Sequence, residues 1–392
     1  MTQQFDVIVV GAGLVGAFCA LSLARASDLK IAVVERAAPV PAEFPRNQRV
    51  VALGPLACNC LAEADVWRGQ ERHVAYPYQA MAVWDEHSDG QLDFAAVDYG
   101  LTELGHMVDS IACTRLLQQQ MEQQSNITSF YQFDATALQN SRRGATLIGK
   151  QETLSGHLLV AADGAQSWAR SQAGIFSQRT AFEQLAIVTR VRTQESHQDT
   201  AWQCFLSTGP VAALPLADNQ SSIVWSLDKS AAEPLLNASD NEFADRLSAA
   251  LGRRLGAVKL RAPRATFELN SQRAERYFNG AVVLLGDAAH SIHPLAGQGA
   301  NLGFKDALQL VSLLQHSQGE ALADPVTLAR YQRRRKTDNE QTDWLMRALN
   351  QAFRVDVPWW QLLRGKGMNF ISGTAPIKAA LARHAMGIEH HQ

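Results

Sequence analysis

Gly11, Gly13 and Gly16 stand at the spacing G-x-G-x-x-G, and Glu35, with Arg36 beside it, follows about twenty residues on. This set is suited to holding a dinucleotide. Gly11 permits a tight turn, Gly13 lets the backbone approach a pyrophosphate, and Gly16 lets a helix pack closely on a strand. The helix N-terminus offers free N–H groups and partial positive charge to the phosphates. A carboxylate ending the second strand hydrogen-bonds ribose hydroxyls and disfavours a 2′-phosphate, so the bound dinucleotide is FAD or NAD rather than NADP. The competing reading, a purely structural glycine turn, is outweighed by the context. An apolar run, Phe5 to Val10, precedes the glycines, and Leu14 to Ala26 has helical spacing with small residues at Ala17, Ala20 and Ala24. A second apolar run, Leu29 to Glu35, completes a βαβ unit.

Two more apolar runs end in chemically suggestive turns. Leu158 to Ala162 leads into Asp163-Gly164, with Ser167 and Arg170 following. This is a strand end whose Ser167 caps a short helix, or a ligand site at the carboxyl end of a parallel strand; the residues alone leave both readings open. The third block is Gly286-Asp287-Ala288-Ala289-His290-Ser291-Ile292-His293-Pro294-Leu295-Ala296-Gly297-Gln298-Gly299-Ala300-Asn301. Asp287 could accept hydrogen bonds from a ribityl hydroxyl. Gly297 and Gly299 keep the loop free of bulk, and the N–H groups of the helix it opens could stabilise negative charge on the pyrimidine end of a reduced flavin. His290 and His293 lie three apart, but a metal needs a third ligand and none is evident nearby, so structural or flavin-adjacent roles are preferred and no metal is expected.

The elements that must position these blocks make an α/β (α+β) fold. A Rossmann-like dinucleotide-binding domain is expected over 1–78, 102–180 and 270–350, interrupted by a β-rich substrate domain over 79–101 and 181–269, with a C-terminal helical segment over 351–392. Short alternating strands are expected from Gln79 to Leu101, in Leu185–Val191, Ala201–Leu206 and Ser222–Leu227, and over Ile127 to Val160 with turns at Ser141–Gly144 and Ser155–Gly156. Helices are expected at Cys113 to Gln124, Gly299 to His316 and Asp324 to about Arg354. With 392 residues the chain exceeds one compact core. Its net charge of -2 offers no basic excess for a phosphate backbone, so nucleic acid is not an expected partner. Five cysteines without metal-type spacing read as small buried thiols. The opening apolar run is broken by Asp6 and reads as a strand rather than a targeting segment.

Together the three blocks resemble those of the aromatic-ring hydroxylases with the p-hydroxybenzoate hydroxylase fold, nearest to the bacterial ubiquinone-biosynthesis hydroxylases of the 2-octaprenyl-6-methoxyphenol hydroxylase type. The motifs run from Gly11 to Asp306. Gly-Asp-Ala-Ala-His, then His-Pro-Leu-Ala-Gly-Gln-Gly and Asn-Leu-Gly, mark the subgroup; the Asp163 to Arg170 block marks the wider family. The resemblance implies that the glycine turn, Glu35 and Arg36 hold the ADP half of FAD, and that Arg49, in the Asn47 to Leu53 block, and Arg115 contact the cofactor. It places Asp163 and Gly164 in a motif linked to FAD and NADPH, and Asp287 on the ribityl chain. It puts His293, Pro294, Gly297, Gln298, Gly299, Ala300 and Asn301 around the flavin ring. Ala300 stands where Phe is usual and Lys305 where Arg is usual. For Arg49 and Arg115 the plainer alternative is a surface ion pair.

The resemblance further implies reduction of FAD by transiently bound NADPH, activation of molecular oxygen, and transfer of one oxygen atom to the ring of a prenylated phenol. Water must be excluded from such a site. Phe205, Leu214 and Trp225 are candidates to line an apolar pocket, although sheet packing is the commoner fate of such residues. The rival readings are an FAD-dependent reductase or dehydrogenase of the same fold and a non-catalytic flavoprotein scaffold. A cytoplasmic protein peripheral to the inner face of a membrane is expected, with association with other quinone-biosynthesis enzymes and homo-oligomerisation left open. Val357 to Phe370 pairs aromatic with basic residues, as an interfacial segment does, against the plainer alternative of a tail packed on its own domain. The run Arg333 to Lys336, with Asp338 and Glu340, reads as a solvated face.

Overall fold

The computed structural model describes residues 2–41, 50–67, 74–292, 297–355, 357–374, 376–379 and 382. Arg49, His293 and Pro294 lie outside these residues.

Four apolar runs form the parallel centre of the first sheet, side by side in the order Val282–Leu284, Thr153–Ala161, Thr2–Val10 and Ile31–Val34. Helices cover the sheet, which is why these strands read as continuous apolar runs. Their register decides where function can sit. Val10 lies opposite both Ala161 and Val34, and Ala161 lies opposite Leu284. The carboxyl ends of all four therefore finish in one row. The turn expected at Ser155–Gly156 falls instead inside the strand Thr153–Ala161. Gly156 is there for space: a Cβ on it would come 3.1 Å from Ile8 Cγ1. The reversal lies earlier, between Gly149 and Thr153.

The second sheet has nine strands. It draws Ala80–Asp85 and Gln91–Ala95 from the earlier stretch of the chain and five longer strands, from Ser177–Thr193 to Ala265–Ala274, from the later one. The two stretches meet where Ala80–Asp85 runs parallel to Thr200–Leu206, Ala80 opposite Thr200. Two helices, Lys229–Asn237 and Asp240–Ala250, go beyond the expectation of strands alone. They cover one face of the sheet, where Ile187, Ile223, Trp225 and Leu227 pack against Phe243 and Leu247. Trp225 is thus ordinary packing on the far face, its ring 6.1 Å from that of Phe243. The opposite face carries Val83 and Phe205, which cluster with Ile292 inside the third glycine-containing block and with Leu302 just after it. Strand alternation puts half-buried Leu214 on this inner face as well, because its neighbours Val211 and Ala213 belong to the outer cluster. A three-stranded sheet, Val50–Leu53, Gly105–Asp109 and Ala75–Tyr78, completes the strands.

The helix Ser110–Glu122 starts earlier than its apolar spacing suggests, because Asp109 caps it by accepting from the N–H groups of Ile111 and Ala112. Asp324 caps the long helix Pro325–Arg354 in the same way, through Thr327 N–H at 2.9 Å. That helix corrects one expectation: Arg335 is not on a solvated face but has only 8% of its side chain exposed. A final helix spans Pro358–Gly373. The cysteines are free thiols, and burial pushes those of Cys19, Cys58 and Cys204 up to about 12, which makes them unreactive.

Candidate active site

Glu35 and the three glycine-containing blocks each follow one of the four aligned strand ends. The glycine turn follows Val10, Glu35 follows Val34, Asp163-Gly164 follows Ala161, and Gly286-Asp287 follows Leu284. Ligand sites of parallel sheets lie at such a row.

The glycine turn is fixed by backbone bonds. Gly11 has φ +104°, and its N–H donates to Val34 O at 2.7 Å. A Cβ on Gly16 would sit 2.0 Å from Gly11 O, so only glycine lets the helix Leu14–Ala26 leave the strand here. Gly13 differs: nothing lies within 4 Å of the Cβ it lacks, and it opens that helix without any side-chain cap. The result is an open helix N-terminus with no acidic residue in its first turn, matched to a pyrophosphate. Glu35 accepts from Ala12 N–H and Ala37 N–H, each at 2.9 Å. A carboxylate has about four acceptor positions, so capacity for ribose hydroxyls remains. Arg36 is exposed beside it.

Buried Gln118 escapes the sequence reading. Its Nε2 donates to Ala12 O and its Oε1 accepts from Val40 N–H, both at 2.9 Å, which joins the glycine turn to the chain after Glu35. It is the first of three consecutive glutamines, and its signal is only that helical spacing puts it with Thr114, Leu117 and Met121 on the buried face of its helix. Arg115, one turn earlier on the same helix, is half-buried and has no partner among the described residues, as a group aimed at an anionic cofactor would be.

Asp163 and Arg170 organise the second turn. Asp163 accepts from Ser167 Oγ and from Ala169 N–H, the latter at 3.0 Å, so its carboxylate shapes the turn itself. Ser167 caps the short helix through Arg170 N–H. Of the two readings left open by the residues, the cap is observed, and it lies at the strand-end row. Arg170 spans to the third block, its guanidinium donating to Ala288 O at 2.8 Å and Ala165 O at 3.1 Å. Gly164, at φ +82°, has nothing near its missing Cβ.

Asp287 has no hydrogen-bond partner among the described residues. It stands on a short turn whose neighbour Gly286 packs its α-carbon over Val15; a Cβ there would be 3.3 Å from Val15 Cγ1. Val15 also fills the space beside Gly303, where a Cβ would come within 2.7 Å, so one valine wedges the first block against both ends of the third. Asp287→Ala is expected to leave the fold unchanged and weaken FAD retention about tenfold, the effect of losing a charge-assisted hydrogen bond. Flavin-to-protein ratio after gel filtration measures this; a fully yellow variant would contradict the role.

The helix Gln298–Leu314 begins at Gly297, φ +62°, without a side-chain cap. Gly299 is open, Ala300 packs on the core, and Gln298 is half-buried. Asn301 is held by the three-stranded sheet: its Nδ2 donates to Ala52 O and its Oδ1 accepts from Gly54 N–H, both at 2.9 Å. Beyond these, Asp306 anchors the block from behind. It is fully buried and accepts from Gly286 N–H at 3.1 Å, Arg335 Nε at 2.7 Å and Asn339 Nδ2 at 3.2 Å, and it bonds His290 Nε2 at 2.6 Å. Burial opposes its charge, but the His290 and Arg335 neighbours outweigh that and hold the carboxyl at about 2. His290 is therefore a structural residue, tied to this carboxylate and stacked near Tyr277.

The open helix N-terminus at Gly13 and partnerless Arg115 offer positive charge for a phosphate, partnerless Asp287 offers an acceptor for hydroxyls, and the helix at Gly297 offers uncapped N–H groups. Residues 4–342 match the family described as FAD binding domain. The chain is 31% identical over 391 residues to the 3-demethoxyubiquinol 3-hydroxylase of Escherichia coli, covering 98% of this chain and 99% of that protein. In structure it resembles the p-nitrophenol 4-monooxygenase PnpA of Pseudomonas putida, with TM-score 0.77 and 18% identity over 99% of this chain and 100% of that one. It also resembles an HpxO variant of Klebsiella pneumoniae complexed with FAD, with TM-score 0.75 and 19% identity over 97% and 99% of the two chains. This chain belongs to the FAD binding domain family and is, within it, an FAD-dependent flavoprotein monooxygenase.

Proposed function

We propose that this enzyme hydroxylates the aromatic ring of a polyprenylated phenol in ubiquinone biosynthesis, consuming NAD(P)H and molecular oxygen. The observation that carries this reading is the near end-to-end match to an enzyme named as a demethoxyubiquinol hydroxylase. We divide the chain into an FAD-binding domain over 1–78, 102–180 and 270–350, a substrate domain over 79–101 and 181–269 set into it, and a C-terminal helical segment over 351–392. When bound, FAD supplies electron transfer from the nicotinamide and the activation of oxygen. The residues of the chain hold and shield it. Gly13 and the helix behind it take the pyrophosphate, Glu35 the ribose, Arg115 the phosphate charge and Asp287 the ribityl chain. The uncapped N–H groups after Gly297 stabilise negative charge at the ring's pyrimidine end. Ile292 and Leu302 join Val83 and Phe205 in an apolar cluster that closes the ring end against water, a condition for coupling oxygen to substrate. The substrate's tail belongs in a bilayer, so peripheral membrane contact is part of the proposal.

Oxygen uptake with NADPH and a prenylated phenol, followed by mass spectrometry, tests the reading. One oxygen consumed per hydroxylated product is expected. Reduction of a double bond without oxygen uptake would assign the chain to the reductases instead, and bound FAD with no NADPH oxidation would leave it a scaffold.

A further inference from the structure

The helix Pro358–Gly373 is amphipathic in the reverse sense. Trp359, Leu362, Leu363 and Phe370 are exposed, at 67%, 59%, 55% and 65%, while Arg364 is buried. Positions 359, 362, 363, 366 and 370 follow the three- and four-residue steps that line one helix face. Four of the five are large and apolar, and the fifth is Lys366. Val355 and Val357, just before the helix, extend the exposed apolar set. Elsewhere among the described residues such side chains are scattered: Val97, Ile111, Phe176, Phe267 and Ile377 stand apart from one another, and Val326 and Trp344 lie far apart on one long helix. A contiguous apolar patch on one helix has a purpose that scattered residues need not have.

The helix cannot turn this face inward, because its other face is bolted to the substrate sheet. Arg364 Nη2 and Nε donate to the two carboxylate oxygens of Asp85 at 2.7 and 3.0 Å. Its Nη1 donates to Ala352 O and Phe353 O. Met368 packs in the apolar cluster with Val83, Phe205 and Phe353. Gly365 lies so close to Ser88 that a Cβ would come within 2.6 Å of its Oγ. The outward stripe is thus a fixed surface on the wall of the substrate region.

We infer that this stripe docks the enzyme on an anionic lipid bilayer, with the substrate sheet that the helix packs on held against the membrane where a prenylated substrate dissolves. The inference rests on the proposed prenylated substrate and adds the surface that reaches it. Three observations favour lipid over a second copy of the chain. Tryptophan and lysine are side chains suited to the headgroup level, where the ring sits at the boundary and the ammonium reaches water. Lys366 lies near the middle of the stripe, so two stripes meeting about a two-fold axis would bring Lys366 against its own copy. And from Val357 to Ile388 the sequence contains no Asp or Glu, although the chain has 38 such residues; nothing in the stretch repels anionic headgroups. No helix among the described residues is long and apolar enough to cross a membrane, so the contact is peripheral.

The test is co-sedimentation of the FAD-loaded full chain with vesicles of phosphatidylcholine, with and without phosphatidylglycerol. The wild-type chain is expected to sediment, more strongly with phosphatidylglycerol. Trp359→Ser combined with Phe370→Ser is expected to weaken partitioning about tenfold or more, from the apolar area withdrawn. Lys366→Glu is expected to abolish the preference for phosphatidylglycerol. Unchanged sedimentation of the double variant overturns the inference, as does light scattering that shows a wild-type dimer converted to monomer by the same substitutions. Hydroxylation of a tail-less, water-soluble phenol, run in parallel, separates the two claims. Wild-type and variant enzymes that both fail on it contradict the hydroxylase reading while leaving the vesicle result to stand on its own.

Discussion

Asp306→Asn is expected to cost roughly 3 kcal/mol of stability at neutral pH, the lower end of the range for breaking a buried pair, because it removes the fully buried carboxylate shared by Arg335 and His290 and leaves Arg335 only the less buried Asp338 as counter-charge. Few single substitutions reach that range. Arg335 gives its Nε to Asp306 and its two terminal nitrogens to Asp338 and Asn339. With 8% of its side chain exposed it has little access to water as a substitute. The loss has a pH signature. The folded-state carboxyl of Asp306 sits at about 2, below its ordinary 3.8. The stabilisation it gives is complete above about pH 4 and disappears as pH falls toward 2. The gap between wild type and variant, measured by urea unfolding, is therefore wide at pH 7 and narrows through that acid window. A double variant, Asp306→Asn with Arg335→Gln, removes both charges and is expected to cost less than the sum of the single changes. Additive losses, or a single variant that unfolds at the wild-type urea concentration, would show that the pair carries no coupling. Because Asp306 also accepts from Gly286 N–H, the single variant is expected to release flavin more readily as well.

The row of strand ends was legible in the sequence, and what anchors it was not. Apolar runs ending in glycine or Gly-Asp announce parallel strands, because burial on both faces requires continuous apolar sequence and a glycine gives the turn its conformation. Val10 and Leu284 end runs that stop at Gly11 and at Gly286-Asp287, Ala161 ends one that stops at Asp163-Gly164, and Val34 ends one that stops at Glu35 instead. The anchors depend on long-range partners that no local pattern displays. Arg335 looks like one of four consecutive basic residues, yet buried Leu328, Tyr331, Asn339 and Thr342 on its helix show by spacing that it shares their inward face. Asp306 likewise falls four residues after Leu302 and four before Leu310, inside a buried stripe. A charged residue at such a position needs a buried partner, and spacing could have flagged both without pairing them. The helices Lys229–Asn237 and Asp240–Ala250 left a plainer trace. Ser239 and Glu242 have the spacing of a capping box, and Ser239 Oγ does accept from Glu242 N–H. Strand alternation placed the strands of that sheet but could not say which face packed against the third block. That choice belongs to Ile292 and Leu302, which are remote from the strands in sequence.

Gly13 and Gly16 belong to one motif, yet their substitutions are expected to fail differently, and the contrast tests the site directly. A valine at Gly16 would force its Cβ into Gly11 O, 2.0 Å away, with Ala162 Cβ at 3.0 Å on the other side. Neither neighbour can yield, since Gly11 is held by Val34 and Ala162 N–H donates to Val10 O. Gly16→Val is therefore expected to prevent the helix Leu14–Ala26 from seating and to yield little folded protein. A valine at Gly13 meets no atom of the chain within 4 Å of its Cβ, and φ there is an ordinary -73°. Gly13→Val is expected to fold with wild-type stability. Its side chain would occupy the space where a pyrophosphate reaches the helix N-terminus. Loss of about two charge-assisted backbone hydrogen bonds, roughly 1.5 kcal/mol each, corresponds to at least about a hundredfold weaker FAD binding. Circular dichroism and urea unfolding measure the first property, and fluorescence titration of apoprotein with FAD the second. If Gly13→Val binds FAD as wild type does while remaining folded, the dinucleotide does not cross that helix end. The row of strand ends would then need another occupant.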